Sequence, residues 1–262
     1  MDTRWRIVWG VEQHGGRSEV LYIREAHFQR GPGSPEIQVL GDCRLAEIFV
    51  PYNGGTRIYD ISNYTFPLIT LDPSFLGPVC VGPGVIYDRE GVPRPSGPVA
   101  SEVHDGQLRW INGANKHRRG QSIAVWSVLS AGNYRYIMLY QFRDDGVVSF
   151  RLGATAHNLF DSDGDGTTHL HTGWWRLNVV LGAAARTQVS LVELDTSALS
   201  SAVTLLGKES RLEWNAERFS RLRVESLVHF NAHSPSHPIG YELIPMRQGN
   251  GRYLGVGEEF TQ

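Results

Sequence analysis

Cysteine is nearly missing from this chain: its 262 residues include two, Cys43 and Cys80. At most one internal disulfide is open to it. A reducing compartment would keep both as thiols, and buried small hydrophobes are their expected state. An excess of charge is missing too. Lys and Arg total 25 against 27 Asp and Glu, for a net charge of −2, which removes the electrostatic footprint of a nucleic-acid or anionic-membrane binder. No apolar run approaches the roughly 18 residues of a membrane-spanning helix. The start, Met1-Asp2-Thr3-Arg4-Trp5-Arg6, lacks the basic-then-apolar order of a secretory signal. The expectation is a cytoplasmic protein with no nucleic acid and no membrane as partner, acting on a small-molecule substrate. No linker stands out either, so residues 1–262 read as a single domain, a size that sheet-built domains reach.

Helical periodicity is scarce. The best stretch is Thr196 to Leu206, where Ser and Thr weaken the case. What is plentiful is strand. Arg6–Trp9, Glu19–Ile23, Glu47–Tyr52, Ser122–Leu129, Tyr136–Phe142, Val147–Leu152, Trp174–Val180, Gln188–Leu194 and Arg221–Phe230 are rich in Val, Ile, Leu and aromatics. Several alternate, as in Val147-Val148-Ser149-Phe150-Arg151-Leu152, with one face for a core and one for water. Punctuation is heavy, with 29 Gly and 13 Pro; Asp145-Gly146 reads as a tight hairpin, and Gly82 to Pro98 as a long loop. The predicted class is all-β, mainly antiparallel: a large β-sandwich.

Three local patterns bear on chemistry. His169 and His171, two apart in Thr167-Thr168-His169-Leu170-His171, fall on one face of an extended chain. A sheet presents two nitrogen ligands to one metal in this way, and imidazole suits Cu, Zn, Fe and Ni alike. The same pair reads equally as two polar residues at a strand end. Asp161-Ser162-Asp163-Gly164-Asp165-Gly166 opens like a calcium loop, but position twelve falls on Thr172, which cannot supply the bidentate carboxylate, so it reads as a solvated turn. Ser130-Ala131-Gly132-Asn133-Tyr134-Arg135-Tyr136 is a Gly-Asn turn leading into a strand that carries aromatics.

The order of these pieces resembles the catalytic domain of the copper amine oxidases. Leu45-Ala46-Glu47-Ile48-Phe49-Val50-Pro51-Tyr52 is similar to that family's strand ending in Val-Pro-Tyr, and Leu76-Gly77-Pro78-Val79-Cys80-Val81-Gly82 to its Leu-Gly-Cys-x-Cys-x-Gly turn. Val103-His104-Asp105-Gly106-Gln107-Leu108-Arg109-Trp110 resembles its His-Glu-x-Asp-x-Gly-x-Leu segment, and Gly132-Asn133-Tyr134-Arg135-Tyr136 its Gly-Asn-Tyr-Asp-Tyr. Asp145-Gly146, His169-Leu170-His171, Arg176-Leu177-Asn178 and Gly240-Tyr241-Glu242-Leu243-Ile244-Pro245 complete the series.

The resemblance implies a usually dimeric β-sandwich, hence a homodimer here. It also implies that copper and a tyrosine-derived quinone oxidise primary amines to aldehydes. Tyr134, preceded by Asn133, corresponds to the quinone position, and His169 and His171 to the first two copper ligands. Asp60, in Arg57-Ile58-Tyr59-Asp60, corresponds to the carboxylate base that takes a proton from the substrate carbon. The departures matter as much. The family's third imidazole lies well beyond its Gly-Tyr-x-Leu segment, and Gln262 follows Tyr241 closely, so that ligand strand is expected to be absent. His157, His229, His233 and His237 are substitutes to consider. Arg135 stands where an acid normally follows the tyrosine, which points to an anionic substrate group or cofactor. Ser101 and its neighbours lack the cysteine that would pair with Cys80.

The leading expectation is therefore a repurposed pocket. Asp60, Tyr134 and the histidines would work by acid and base on a small biosynthetic substrate, in an isomerisation, cyclisation or elimination. The alternatives are a truncated copper and quinone amine oxidase, and a non-enzymatic dimeric binding or scaffold module.

Overall fold

A computed structural model describes residues 3–13, 17–51, 57–77, 81–112, 116–156, 171–182, 186–195, 197–198, 200–212, 214–215, 217–231 and 234–244. The strands are β1 (Arg4–Gln13), β2 (Glu19–Gln29), β3 (Ile37–Leu40), β4 (Cys43–Pro51), β5 (Arg57–Tyr59), β6 (Val85–Tyr87), β7 (Pro93–Arg94), β8 (Val99–Ile111) and β9 (His117–Ala131). They continue with β10 (Tyr134–Arg143), β11 (Val148–Ala156), β12 (Thr172–Arg176), β13 (Thr187–Asp195), β14 (Ser200–Leu206), β15 (Arg221–Asn231) and β16 (Ser234–Leu243). One helical turn, α1 (Asp60–Asn63), and a 3-10 turn, Pro73–Phe75, interrupt them. Of the described residues 66% are strand against 4% helix, which settles the class as all-β. Two compact units form: of the described residues, the first holds 3–36 and 42–177, the second 37–41 and 178–244.

The first unit is a sandwich. One sheet runs β1-β2-β4-β12 with β5 on β4; the other runs β11-β10-β9-β8-β6-β7. Alternation explains how they face each other. Along β10, Tyr134, Tyr136, Met138, Tyr140 and Phe142 are buried on one face, and Tyr136, Tyr140 and Phe142 are fully buried. Each such ring removes about 150–250 Å² from water, roughly 4–6 kcal/mol of transfer free energy before entropy is charged against it. Two polar tips lock the sheets together. The Tyr140 hydroxyl donates to the Leu21 carbonyl at 2.6 Å, and the Trp5 indole N–H donates to the Arg143 carbonyl at 2.8 Å. Burial pushes the Tyr140 phenol well above its ordinary pKa. Trp5 packs against Phe28 of its own sheet and Phe142 of the other, while Trp175 meets Tyr140 and Phe150.

Hairpin chemistry fixes the register of β10 at both ends. Ala131 pairs with Tyr134 around the two residues Gly132-Asn133, and Gly132 has φ +60, the form of a II′ turn with glycine first. At the far end Arg143 N–H donates to the Val147 carbonyl at 2.9 Å and Gly146 takes φ +89, as the Asp145-Gly146 turn requires. Each of the nine segments read as strand contains one, but in Trp174–Val180 the strand, β12, ends at Arg176 and Val179 makes only an isolated bridge to Leu40. Two readings are corrected. Within Thr196 to Leu206 there is no helix among the described residues; Ser200–Leu206 is β14, paired antiparallel with β13, and pairing overrides the residues' weak helical preference. Within Gly82 to Pro98, β6 and β7 pair with each other, and β6 with β8.

In the second unit, β14-β13-β15-β16 form an antiparallel sheet, and Val39 and Gln38 of β3 accept from the amides of Val180 and Gly182. Val192, Val224 and Leu181 are buried there, whereas Val203, Leu205, Leu227 and Phe230 are exposed. No helix among the described residues is long and apolar enough to cross a membrane.

Candidate functional site

Three pieces of chain meet inside the sandwich. The first is β10, whose two-residue period puts Tyr134 and Tyr136 on one buried face with ring centroids 6.0 Å apart. The second is α1, whose first residue is Asp60, a carboxyl only 7% exposed. The third is the residue before β12, His171, which is half-buried. Thr172 pairs with Phe49 of β4, as Tyr59 does from the other side, so β4 sets where both Asp60 and His171 enter.

Tyr136 joins them. Its hydroxyl donates to Asp60 Oδ2 in a short hydrogen bond, and it lies 2.6 Å from His171 Nδ1. The edge of the His171 imidazole also packs on Tyr134, with centroids 4.5 Å apart and planes inclined at 60°. The result is a carboxyl, a phenol and an imidazole in one hydrogen-bonded line, beside a second phenol. Such a line can take a proton at one end and release one at the other without moving a heavy atom far.

Asp60 is held from behind. The first turn of a helix leaves amide N–H groups without partners, and Tyr59, at the N-cap, supplies no side-chain acceptor. Glu47 of β4 replaces it: Oε1 accepts from the amides of Ile48 at 2.9 Å and Ile61 at 2.8 Å. Oε2 accepts from the amide of Ser62 at 3.2 Å and from its hydroxyl. Below the turn, the buried Ser18 hydroxyl donates to the Tyr64 carbonyl at 2.9 Å and accepts from the Phe66 amide at 3.1 Å.

Of the residues singled out by sequence, Asp60, Tyr134 and His171 therefore come together. Asn133 is exposed in the hairpin turn. His169, Cys80, His157, His233 and the acidic run Asp161 to Gly166 lie outside the described residues. His229 and His237 belong to the second unit, where His237 Nδ1 sits 2.5 Å from the Ser234 hydroxyl. Cys43 is fully buried. Arg135 lies on the exposed face of β10, opposite the buried Tyr134 ring, and its guanidinium donates to the carbonyls of Gly132 and Tyr134 at 2.9 Å each. Its role there is to brace the hairpin. Tyr136 and Glu47, which the sequence reading does not single out, complete the cluster. The signal for Tyr136 was its spacing of two from Tyr134; for Glu47 there was no signal beyond a lone acid in an apolar strand.

Other family-like segments have structural tasks. The buried Glu102 carboxylate accepts from the Gly77 amide at 2.6 Å and the Trp126 indole at 3.1 Å, and Val81 N–H donates to the Val103 carbonyl at 2.8 Å. These bonds tie Gly77 and Val81 to β8, at Glu102 and Val103, and Glu102 to Trp126 of β9. As for a metal, no group of three or more His, Cys, Asp or Glu among the described residues is arranged to hold one. The described residues alone do not make a copper site.

No family model matches the sequence, and no curated protein matches it. Solved structures do. A copper-containing benzylamine oxidase from Hansenula polymorpha superposes with a TM-score of 0.62 at 16% identity, over 92% of this chain and 45% of that one. A lysyl oxidase from Pichia pastoris gives 0.68 at 14% identity, over 95% of this chain and 38% of that one; a second structure of it, at 1.23 Å, gives the same score over 96% and 38%. The chain thus spans less than half the length of the solved structures it matches. At these identities the likeness is one of fold: this is an antiparallel β-sandwich of the kind seen in copper amine oxidases.

Proposed function

We propose that this protein is an enzyme that moves protons on a small organic substrate, with the Asp60–Tyr136–His171 line as its machinery. The line itself carries the reading. A buried carboxyl and a half-buried imidazole share one phenol hydroxyl, so a proton accepted at His171 can be balanced by one returned from the same line. Isomerisation, cyclisation and elimination all need a proton taken at one atom and delivered at another. His171 is the more exposed member and offers the substrate-facing end, against the Tyr134 ring. Pairing of two copies and a cytoplasmic setting are part of the same proposal.

A second reading rests on the fold likeness and on the closeness of Tyr134 to His171: an amine oxidase in which copper and a quinone made from Tyr134 supply the electron sink. Metal analysis by plasma mass spectrometry, the intact mass and the visible spectrum separate the two. Stoichiometric copper with an oxidised Tyr134 selects the oxidase; an unmodified mass without copper leaves proton transfer. Small-molecule ligands found by NMR screening then serve as substrates. Asp60→Asn and Tyr136→Phe should lower turnover about 100-fold or more at unchanged near-ultraviolet dichroism. Unchanged turnover in both variants overturns the proposal, and a screen with ligands but no turnover favours a binding module.

A further inference from the structure

We infer that Glu47 is the positioning residue of the site: a carboxylate that does not touch substrate but fixes where Asp60 points. The inference rests on the proton-transfer reading and extends it one residue outward. Glu47 is only 7% exposed, a large desolvation to accept in the middle of a strand otherwise lined by Leu45, Ile48 and Val50. Its four contacts are donors, and three of them, the amides of Ile61 and Ser62 and the Ser62 hydroxyl, belong to the four-residue turn that begins with Asp60. A turn this short has no stability of its own. Its ordinary cap is absent, because Tyr59 has no side-chain acceptor in place.

The direction of Asp60 follows. With Ile61 and Ser62 amides anchored to β4, the backbone at Asp60 cannot rotate without breaking bonds to a buried acceptor. The carboxyl is then held toward the other sheet, where Tyr136 waits. Trp174 pairs with Glu47 across β4 and β12, so the strand that fixes Asp60 also sets the approach of His171. One residue therefore indexes both outer members of the line to the same strand.

The test is proton NMR of the low-field hydroxyl resonance of Tyr136, assigned by its loss in Tyr136→Phe, together with exchange of the Ile61 and Ser62 amides. Glu47→Gln keeps the shape and one acceptor but turns an NH₂ toward the Ser62 amide. It should fold with unchanged near-ultraviolet dichroism, speed exchange at Ile61 and Ser62 about tenfold or more, and shift or broaden the Tyr136 signal. Ser62→Ala, which removes one donor and cannot unfold the sandwich, should move the same signal less and in the same direction. A Tyr136 signal untouched in Ser62→Ala and in folded Glu47→Gln overturns the positioning role and leaves the proton line standing. A wild-type spectrum without that signal overturns both.

Discussion

Replacing Tyr136 with phenylalanine removes one oxygen from a fully buried ring and leaves the packing in place. That oxygen donates to the Asp60 carboxyl and lies 2.6 Å from His171 Nδ1, so the change takes one hydrogen-bond partner from each group. A hydrogen bond to a charged group contributes about 1.5–3 kcal/mol and a neutral one about 0.5–1.5 kcal/mol, and the Phe variant escapes the cost of burying a hydroxyl. The expected net loss is about 2–4 kcal/mol, a fall in Tm of roughly 5–15 °C for a domain of this size. Urea unfolding followed by tryptophan fluorescence measures it, since Trp5 and Trp175 pack in the same core. Combined with Asp60→Asn in a double-mutant cycle, Tyr136→Phe should show a coupling of about 1–3 kcal/mol. A Tyr136→Phe variant within about 0.5 kcal/mol of wild type, with no coupling to Asp60→Asn, would refute the shared hydrogen-bonded line.

Gly132→Ala should cost about 1–2 kcal/mol in chemical denaturation; no atom crowds its Cβ, so the whole effect comes from φ +60, and a neutral result would mean the turn is not II′ in solution. Burial draws the Glu19 carboxyl up, but the Arg89 guanidinium, bonded at 3.0 and 2.9 Å, and the Leu68 amide outweigh it and hold it below its ordinary pKa. Because the folded value is the lower one, this stability is present above the unfolded carboxylate pKa and is lost as pH falls through the folded value. Glu19→Gln should therefore flatten the acid limb of the stability curve, and parallel limbs for variant and wild type would contradict it. Burial likewise raises Tyr140 and Tyr241 above the ordinary phenol range. Alkaline titration at 295 nm should leave at least these two of the ten tyrosines un-ionised until the protein unfolds, and ionisation of all ten in the folded state would count against the packing.

Alternation in segments such as Val148 to Leu152 has the period of the pleat and announced a strand, although its residues are only half-buried or exposed. Other strands gave no such sign. Pro235 and Pro238 argue against a strand, yet β16 tolerates them at the rim of its sheet, where unpaired N–H positions are spare. β14 has Ser, Ala and Leu, a composition compatible with a helix, and takes its form from β13 alongside it. β8 carries His104, Asp105 and Gly106, whose polarity hides an extended segment held by β9. In the candidate site, the order of family-like motifs singled out Asp60, Tyr134 and His171, and these three come together around Tyr136. Tyr136 was in plain view, two residues from Tyr134, but a partner 76 positions away in sequence is what gives it a role. Glu47 acts through Ile61 and Ser62, and a strand acid capping a distant turn leaves no local pattern.

The connectivity of the sandwich sets an order of assembly. β8, β9, β10 and β11 follow one another as a meander of hairpins, so the strand bearing Tyr134 and Tyr136 closes through short loops, the fast class of contact. β4 and β12, which deliver Asp60 and His171, are neighbours in space but separated by that entire meander in the chain. During refolding, the phenols of β10 should be in place while their carboxyl and imidazole partners are still diffusing, and the site should be the last part of the first unit to become rigid.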